Sequence, residues 1–421
     1  MKNTPKLRFK GFEGEWEEKT LGDICSFTKG KGYSKSDISE KGFPLFLYGR
    51  MYTNYSFSVN SVDTYASLKE DSYISEGNEV VIPASGETAQ DIVRASAISA
   101  SGIVLGGDLN ILKFDLVKYS TPFIALSFSN GNLYDQLIKS AQGKTVVHLH
   151  NSEIQKGKIL IPSLPEQRKL SSYFTHLDTL IESSRQKVEK LKQVKAASLQ
   201  SFFPTHGERT PNVRFKGFEG DWKKVKFGEV FDFLKNNSLS RAELSDEGFV
   251  MNVHYGDVLI KYPEFLDVAQ EKMTFIKNSL LADKLYKSCP LQNGDVVIAD
   301  AAEDETVGKC TELVNVNNVP IVSGLHTIPV RPRLSFASKY LGFFLNSSLF
   351  HDQLLVHIQG SKISSISKSA ILKTFVYFPS LHEQRLIAQY FTHLDSLLSL
   401  ERQRYAKLQQ VKRASLSQML V

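Results

Sequence analysis

Gly143-Lys144-Thr145 ends like a phosphate-binding loop, in which backbone N–H groups and a lysine cradle phosphate. That loop needs a glycine five residues before Gly143, and position 138 is Ile. Gly30-Lys31-Gly32-Tyr33 lacks the spacing as well. His148 and His150 flank Leu149, so both imidazoles share one strand face, but no nearby cysteine or carboxylate offers a third metal ligand. His176 and His393 sit in a repeated Phe-Thr-His-Leu-Asp among apolar residues and read as helix-packing side chains rather than bases. There is no GxSxG, HExxH or GxGxxG, and no Asn/Asp-Pro-Pro-aromatic motif of amino-methyltransferases. No residue set nominates an active site.

What remains is basic, amide and aromatic clustering in turn-rich segments. The first half of the chain offers Lys29, Lys31, Tyr33 and Lys35, then Arg50, Tyr52 and Asn54, then Gln142 and Lys144. The second half offers Lys235, Asn236, Asn237 and Arg241, then His254, then Gln359 and Lys362. Lysine and arginine neutralise phosphates, whereas Asn, Gln and Arg can bond base edges in pairs. Taken singly, such clusters are ordinary solvated loops. Their recurrence in both halves makes them candidate DNA-binding residues.

A chain of 421 residues, 42% hydrophobic and 23% charged, implies two to four globular domains with real cores. Its net charge of +6 is compatible with a polyanionic partner. Three scattered cysteines form no disulfide framework, no leader-like apolar segment opens the chain, and no apolar run reaches the ~20 residues of a membrane helix. These features point to a cytoplasmic protein.

The chain is written twice. "PKLRFKGFEGEW" (5–16) returns as "PNVRFKGFEGDW" (211–222), 206 residues on. "EQRKLSSYFTHLDTL" (166–180) returns as "EQRLIAQYFTHLDSL" (383–397), 217 residues on, with ten of fifteen positions identical. "KLKQVKAASL" (190–199) returns as "KLQQVKRASL" (407–416). The middles, roughly 25–140 and 231–357, match only in scraps such as "YGR" (48–50) beside "YGD" (255–257). Matching ends around diverged middles suggest one architecture with two different surfaces.

Each half closes on a helical apolar stripe spaced by threes and fours. About 36 residues at 1.5 Å rise give a rod of roughly 54 Å. Leu170, Tyr173, Leu177 and Leu180 lie on the first stripe, and Ile387, Tyr390, Leu394 and Leu397 on the second. The two are expected to bury each other as an antiparallel pair. Lysines along them, such as Lys190, Lys195, Lys407 and Lys412, read as solvated faces or partner contacts. The middles carry short strand-like runs bounded by Gly, Asn, Asp and Pro, with helical patterns at 120–138 and 336–355. The fold class is therefore α+β: two mixed α/β domains separated by two long antiparallel helices, an internal pseudo-two-fold repeat.

The doubled "RFKGFEG" segment, the paired "EQR…FTHLD" blocks and the two long helices resemble the DNA-specificity subunit of type I restriction–modification enzymes, over nearly the whole chain. The resemblance implies target-recognition domains at 1–163 and 206–380, with conserved spacer helices at 164–205 and 381–421. Each domain would read one half of a bipartite double-stranded DNA site. The helices would dock two modification subunits, with restriction subunits joining them. The chain would be non-catalytic and need no cofactor of its own. S-adenosylmethionine, ATP and Mg would belong to the partner subunits. A free-standing DNA-binding regulator would share the basic loops without needing a repeated docking frame. A protein scaffold would share the helices and leave those loops idle.

Overall fold

The computed structural model describes residues 3–141, 143, 146–358 and 363–421. Contacts divide the chain into two compact units, Met1–Gln186 with Arg402–Val421, and Lys187–Glu401. The two long helices, Leu164–Ser201 and Leu381–Met419, each contribute one end to each unit. Both are rich in Leu and Gln, with Lys, Arg and Glu between them, and no Gly or Pro follows Pro165 in the first turn, so propensity supports their length.

In the first unit a five-stranded sheet runs in the order Cys25–Lys29, Leu109–Phe114, Glu79–Pro83, Ser96–Ile98, Ser58–Val59. Only the last pair is parallel. The second unit repeats this as Phe231–Phe233, Thr327–Pro332, Val296–Ala299, Cys310–Val314, Phe265–Asp267, again with only the last pair parallel. The middles whose sequences match only in scraps therefore match strand for strand. Each unit adds a four-stranded sheet built on one parallel pair, Phe43–Phe46 with Ser101–Leu105 and Met251–Val253 with Ile321–Ser323. The four-stranded sheets differ at both edges. Where the first unit has the strand Tyr73–Glu76, the second has the helix Ser279–Ser288, and where the second has the strand Leu244–Ser245, the first has the single bridge Ser39–Tyr65.

The apolar stripes do more than bury each other. Leu170, Phe174 and Leu177 share one core with Trp16, Phe114 and Phe123 of their own domain. Met419 and Leu420, at the far end of the second helix, complete that core. In the second unit Ile387, Phe391 and Leu394 pack with Trp222, Phe231 and Tyr340, completed by Phe202 and Phe203 just past the first helix. Truncating Phe174 or Phe391, each fully buried, would cost about 3–5 kcal/mol. Leu180 is half-buried, and Leu397, expected on the stripe, is 38% exposed.

The repeated words are explained by bonds. Arg8 grips the buried Glu166 with two bonds of 2.7 Å and donates a third to Gly14 O. Arg214 grips the buried Glu383 at 2.7 and 2.8 Å and donates to Gly220 O. Paired bonds of this kind fix direction as well as distance. Gln167 accepts from Ser120 N and donates to Pro162 O, and Gln384 accepts from Ala337 N and donates to Pro379 O. Thus "RFKGFEG" and "EQR" form one clasp holding a domain to its helix.

Within each unit the helix ends run antiparallel and exchange equivalent bonds. In the first, Tyr173 Oη lies 3.0 Å from Ser415 Oγ, and Lys412 pairs with Asp178 at 2.5 Å. In the second, Tyr390 Oη lies 3.0 Å from Ser198 Oγ, and Lys195 pairs with Asp395 at 2.6 Å. Lys195 and Lys412 are thus part-buried bonding groups, not members of a solvated face. His176 and His393, expected to pack, are exposed. At about 3.6 residues per turn the buried Phe174 and Phe391, two positions earlier, lie roughly 160° around the helix from these histidines.

Candidate nucleic-acid interface

In the first unit the candidate cations lie at strand ends and turns. Lys29 ends the edge strand Cys25–Lys29, and Lys31 and Lys35 follow it, all exposed. Tyr33, between them, is only 6% exposed. Its hydroxyl contacts Ser72 Oγ and Ser67 O and accepts from Lys69 N, and Lys69 Nζ lies 4.6 Å from its ring centroid. Tyr33 is a loop anchor, so its expected contact with DNA is withdrawn. Arg50 begins the short helix Arg50–Thr53 and pairs with Asp63. Tyr52 donates to Ser85 O at 2.9 Å, and burial pushes its phenol up to about 12. Asn54 is exposed at the end of that helix.

Tyr52 leads on to a small ladder. Ser85–Gly86, against which Tyr52 rests, pairs with Val147–His148. A Cβ on Gly86 would meet Tyr52 Oη at 2.8 Å, so a side chain there would displace the Tyr52 hydroxyl. His148 and His150 stand exposed with rings parallel, 6.2 Å apart, flanking the buried Leu149. Among the described residues no group of His, Cys, Asp or Glu could hold a metal ion. Gln142, Lys144, Gln359 and Lys362 lie outside the described residues.

The second unit builds a tighter cluster. Arg241 pairs with Asp257 at 2.8 Å and reaches His254 Nδ1 at 3.4 Å. Tyr255 lies between the rings of His254 and His326, and His326 Nδ1 is 3.2 Å from Asp300. Lys235 is exposed, as is Asn236, whose amide donates to Gly324 O. Two expected contacts fail here. Asn237 is 8% exposed, with its amide bonded to Asn252, Ser323 O and Leu239 N. His254 is 5% exposed and accepts from Gly256 N at the start of helix Tyr255–Ile260. Burial and the neighbouring Arg241 push its pKa down. Both satisfy backbone groups that would otherwise be orphaned. Tyr255, His326 and Asp300 were missed because only the fold brings residues 255, 300 and 326 together.

Two equivalent α/β domains with cationic, aromatic and amide loops, each clasped to a shared pair of long helices, define a doubled recognition chain. A family model described as the type I restriction modification DNA specificity domain matches residues 13–193 and again 219–410. The chain belongs to this family, and its function is that of a specificity subunit: DNA target recognition with no catalysis of its own. It is similar to the type I restriction enzyme MjaVIII specificity subunit of Methanocaldococcus jannaschii, 21% identical, covering 96% of this chain and 92% of the relative. It is similar in fold to the crystal structure of the type I restriction-modification system S subunit from M. genitalium (TM-score 0.58, 15% identity, 99% of both chains). A chain from a structure on complex assembly and conformational transition of the type I R-M system gives 0.52, at 17% identity, covering 96% of this chain and 97% of that one. Among the described residues no helix is long and apolar enough to cross a membrane.

Proposed function

We propose that each domain reads one half of an asymmetric bipartite duplex site, and that the helices present two equivalent faces to two copies of one modification subunit. The observation that carries this is a division within the repeat. Equivalent loops of the two domains present different side chains: Arg50 stands where the second domain has Asp257, and Lys35 where it has Arg241. The helices present the same ones. Arg168 and Arg385, the third members of "EQR", are exposed, as are His176 and His393. Buried identities are explained by packing. These exposed ones are not, and a partner met twice explains them.

On this reading S-adenosylmethionine, ATP and Mg act in the modification and restriction subunits, and the complex works in the cytoplasm, where the cell's DNA lies. The test is methylation of substrates altered in one half-site at a time. Arg50→Ala or Lys31→Ala should weaken discrimination at one half-site only, and Arg241→Ala at the other, by about 1–3 kcal/mol per lost base contact. Variants of both domains relaxing the same half-site would refute the assignment. Arg168→Ala with Arg385→Ala should release the modification subunits while leaving DNA binding by the chain itself, as gel filtration and anisotropy would show.

A further inference from the structure

We infer that the second domain alone carries a lysine track that grips the phosphate backbone of duplex DNA next to its reading cluster. The inference rests on the DNA-reading role proposed above.

The track starts at Lys235, beside Asn236, and continues to Lys368, whose Nζ lies 5.5 Å from the ring centroid of Phe233, two residues before Lys235. Lys368 also acts electrostatically on Asp300, the partner of His326 in the reading cluster. The track continues through Lys373 and Lys226 to Lys224. Phe227 N bonds Thr374 O, and Lys226 stands opposite Phe375 in the ladder, which brings the last three together. Lys224 lies 4.5 Å from the Phe375 ring centroid and 5.3 Å from that of Tyr377. All five lysines are exposed, and among the described residues none makes an ion pair. Asp221 and Glu229 stand only at its margins in sequence.

The repeat supplies the control. Register places Glu18 where Lys224 stands and Thr20 where Lys226 stands. The 217-residue offset places Asn151 at Lys368 and Lys156 at Lys373. Glu18 is paired with Lys158, and Lys156 with Glu153. At four of the five positions the first domain has thus lost or paired the charge, and only Lys29, in the place of Lys235, stays an exposed lysine. Unpaired lysines in a row, continuous with a reading cluster, fit a linear polyanion. Lysine binds phosphate as a point charge, and a phosphate contact carries no sequence information.

The test is the salt dependence of duplex binding by the chain with its modification subunits. Lys224→Gln, Lys226→Gln and Lys373→Gln together should weaken binding to matched and mismatched duplexes alike. The slope of log K against log salt should become shallower by up to about 2.7, at about 0.9 per phosphate contact. The methylated sequence should not change. An unchanged slope overturns the track. So does an unchanged slope with loss of the modification subunits, which would assign the lysines to a protein surface. If the triple variant does not purify, each single variant should move the slope by about 0.9, and three unmoved slopes overturn it equally. A wild-type complex that methylates no defined sequence would instead refute the underlying reading of function.

Discussion

The two units solve one joint in two ways. In the second, Lys195 bonds Asp395 of the other helix at 2.6 Å and Glu264 of the recognition domain at 2.8 Å. In the first, the equivalent Lys412 bonds Asp178 at 2.5 Å, and its domain-side neighbour is Phe57, ring centroid 6.0 Å away. Phe57 and Glu264 are equivalent, because Ala97 N bonds Phe57 O and Glu312 N bonds Glu264 O at the same rung. The helix-to-helix bond is retained and the helix-to-domain contact is not. A lysine accepts either a carboxylate or an aromatic face. That tolerance lets a recognition domain diverge while its seat on the helices persists.

The clasp is where the units should behave alike, and where the largest effect is expected. Arg8→Ala or Arg214→Ala would leave a buried glutamate without its guanidinium, a change that costs about 3–5 kcal/mol. Hydrogen exchange in each domain should rise by the same factor for its own variant. A loss in only one unit would break the equivalence of the two frames.

A second prediction separates the units by pH. Glu312 is 2% exposed, and burial pushes its carboxyl up to about 7 despite bonds from Lys339 N and Gly342 N. Ala97 occupies the matching rung of the first unit. A carboxyl whose folded pKa exceeds its unfolded value of 4.5 stabilises the fold below 4.5 and loses that contribution as pH rises through about 7. The loss is on the order of 3 kcal/mol. Exchange protection of Val296–Ala299 should therefore fall across this window while that of Glu79–Pro83 holds steady. Glu312→Gln, which cannot ionise, should flatten the profile. A wild-type profile already flat would remove the titration.

Much of this architecture is legible in the sequence, because it is written locally and twice. The stripes Leu170–Phe174–Leu177 and Ile387–Phe391–Leu394 follow helical spacing, and runs such as "EVVIP" and "DVVIA" are the strands they resemble. The bonds that use the repeated words are not legible, since Arg8 and Glu166 lie 158 residues apart. Nor does side-chain type distinguish a base reader from a backbone cap. Asn237 and His254 carry the same groups as a base-reading Asn or His, and burial alone reassigns them. The lysine track is spread from residue 224 to residue 373, so no window of sequence displays it.

The smallest expected effect sharpens the joint itself. Glu264→Gln removes one of the two carboxylates beside Lys195 and keeps the side chain's length and hydrogen-bonding atoms. The bond to Asp395 remains, so the helix pair should persist. Burial lowers the Lys195 pKa, but Glu264 and Asp395 together raise it above its ordinary value. Losing Glu264 should draw it back, so the stability this joint contributes in alkali would begin to fall at a lower pH. Near neutrality the cost should be about 1 kcal/mol at low salt, because all three groups are only part-buried, and it should shrink as salt screens the pair. Melting of the second unit, followed at two salt concentrations, would register it. The first unit, joined through Phe57, should not respond. A salt-independent cost would mean that Glu264 acts by packing, and the contrast between a carboxylate joint and an aromatic joint would then be one of shape rather than charge.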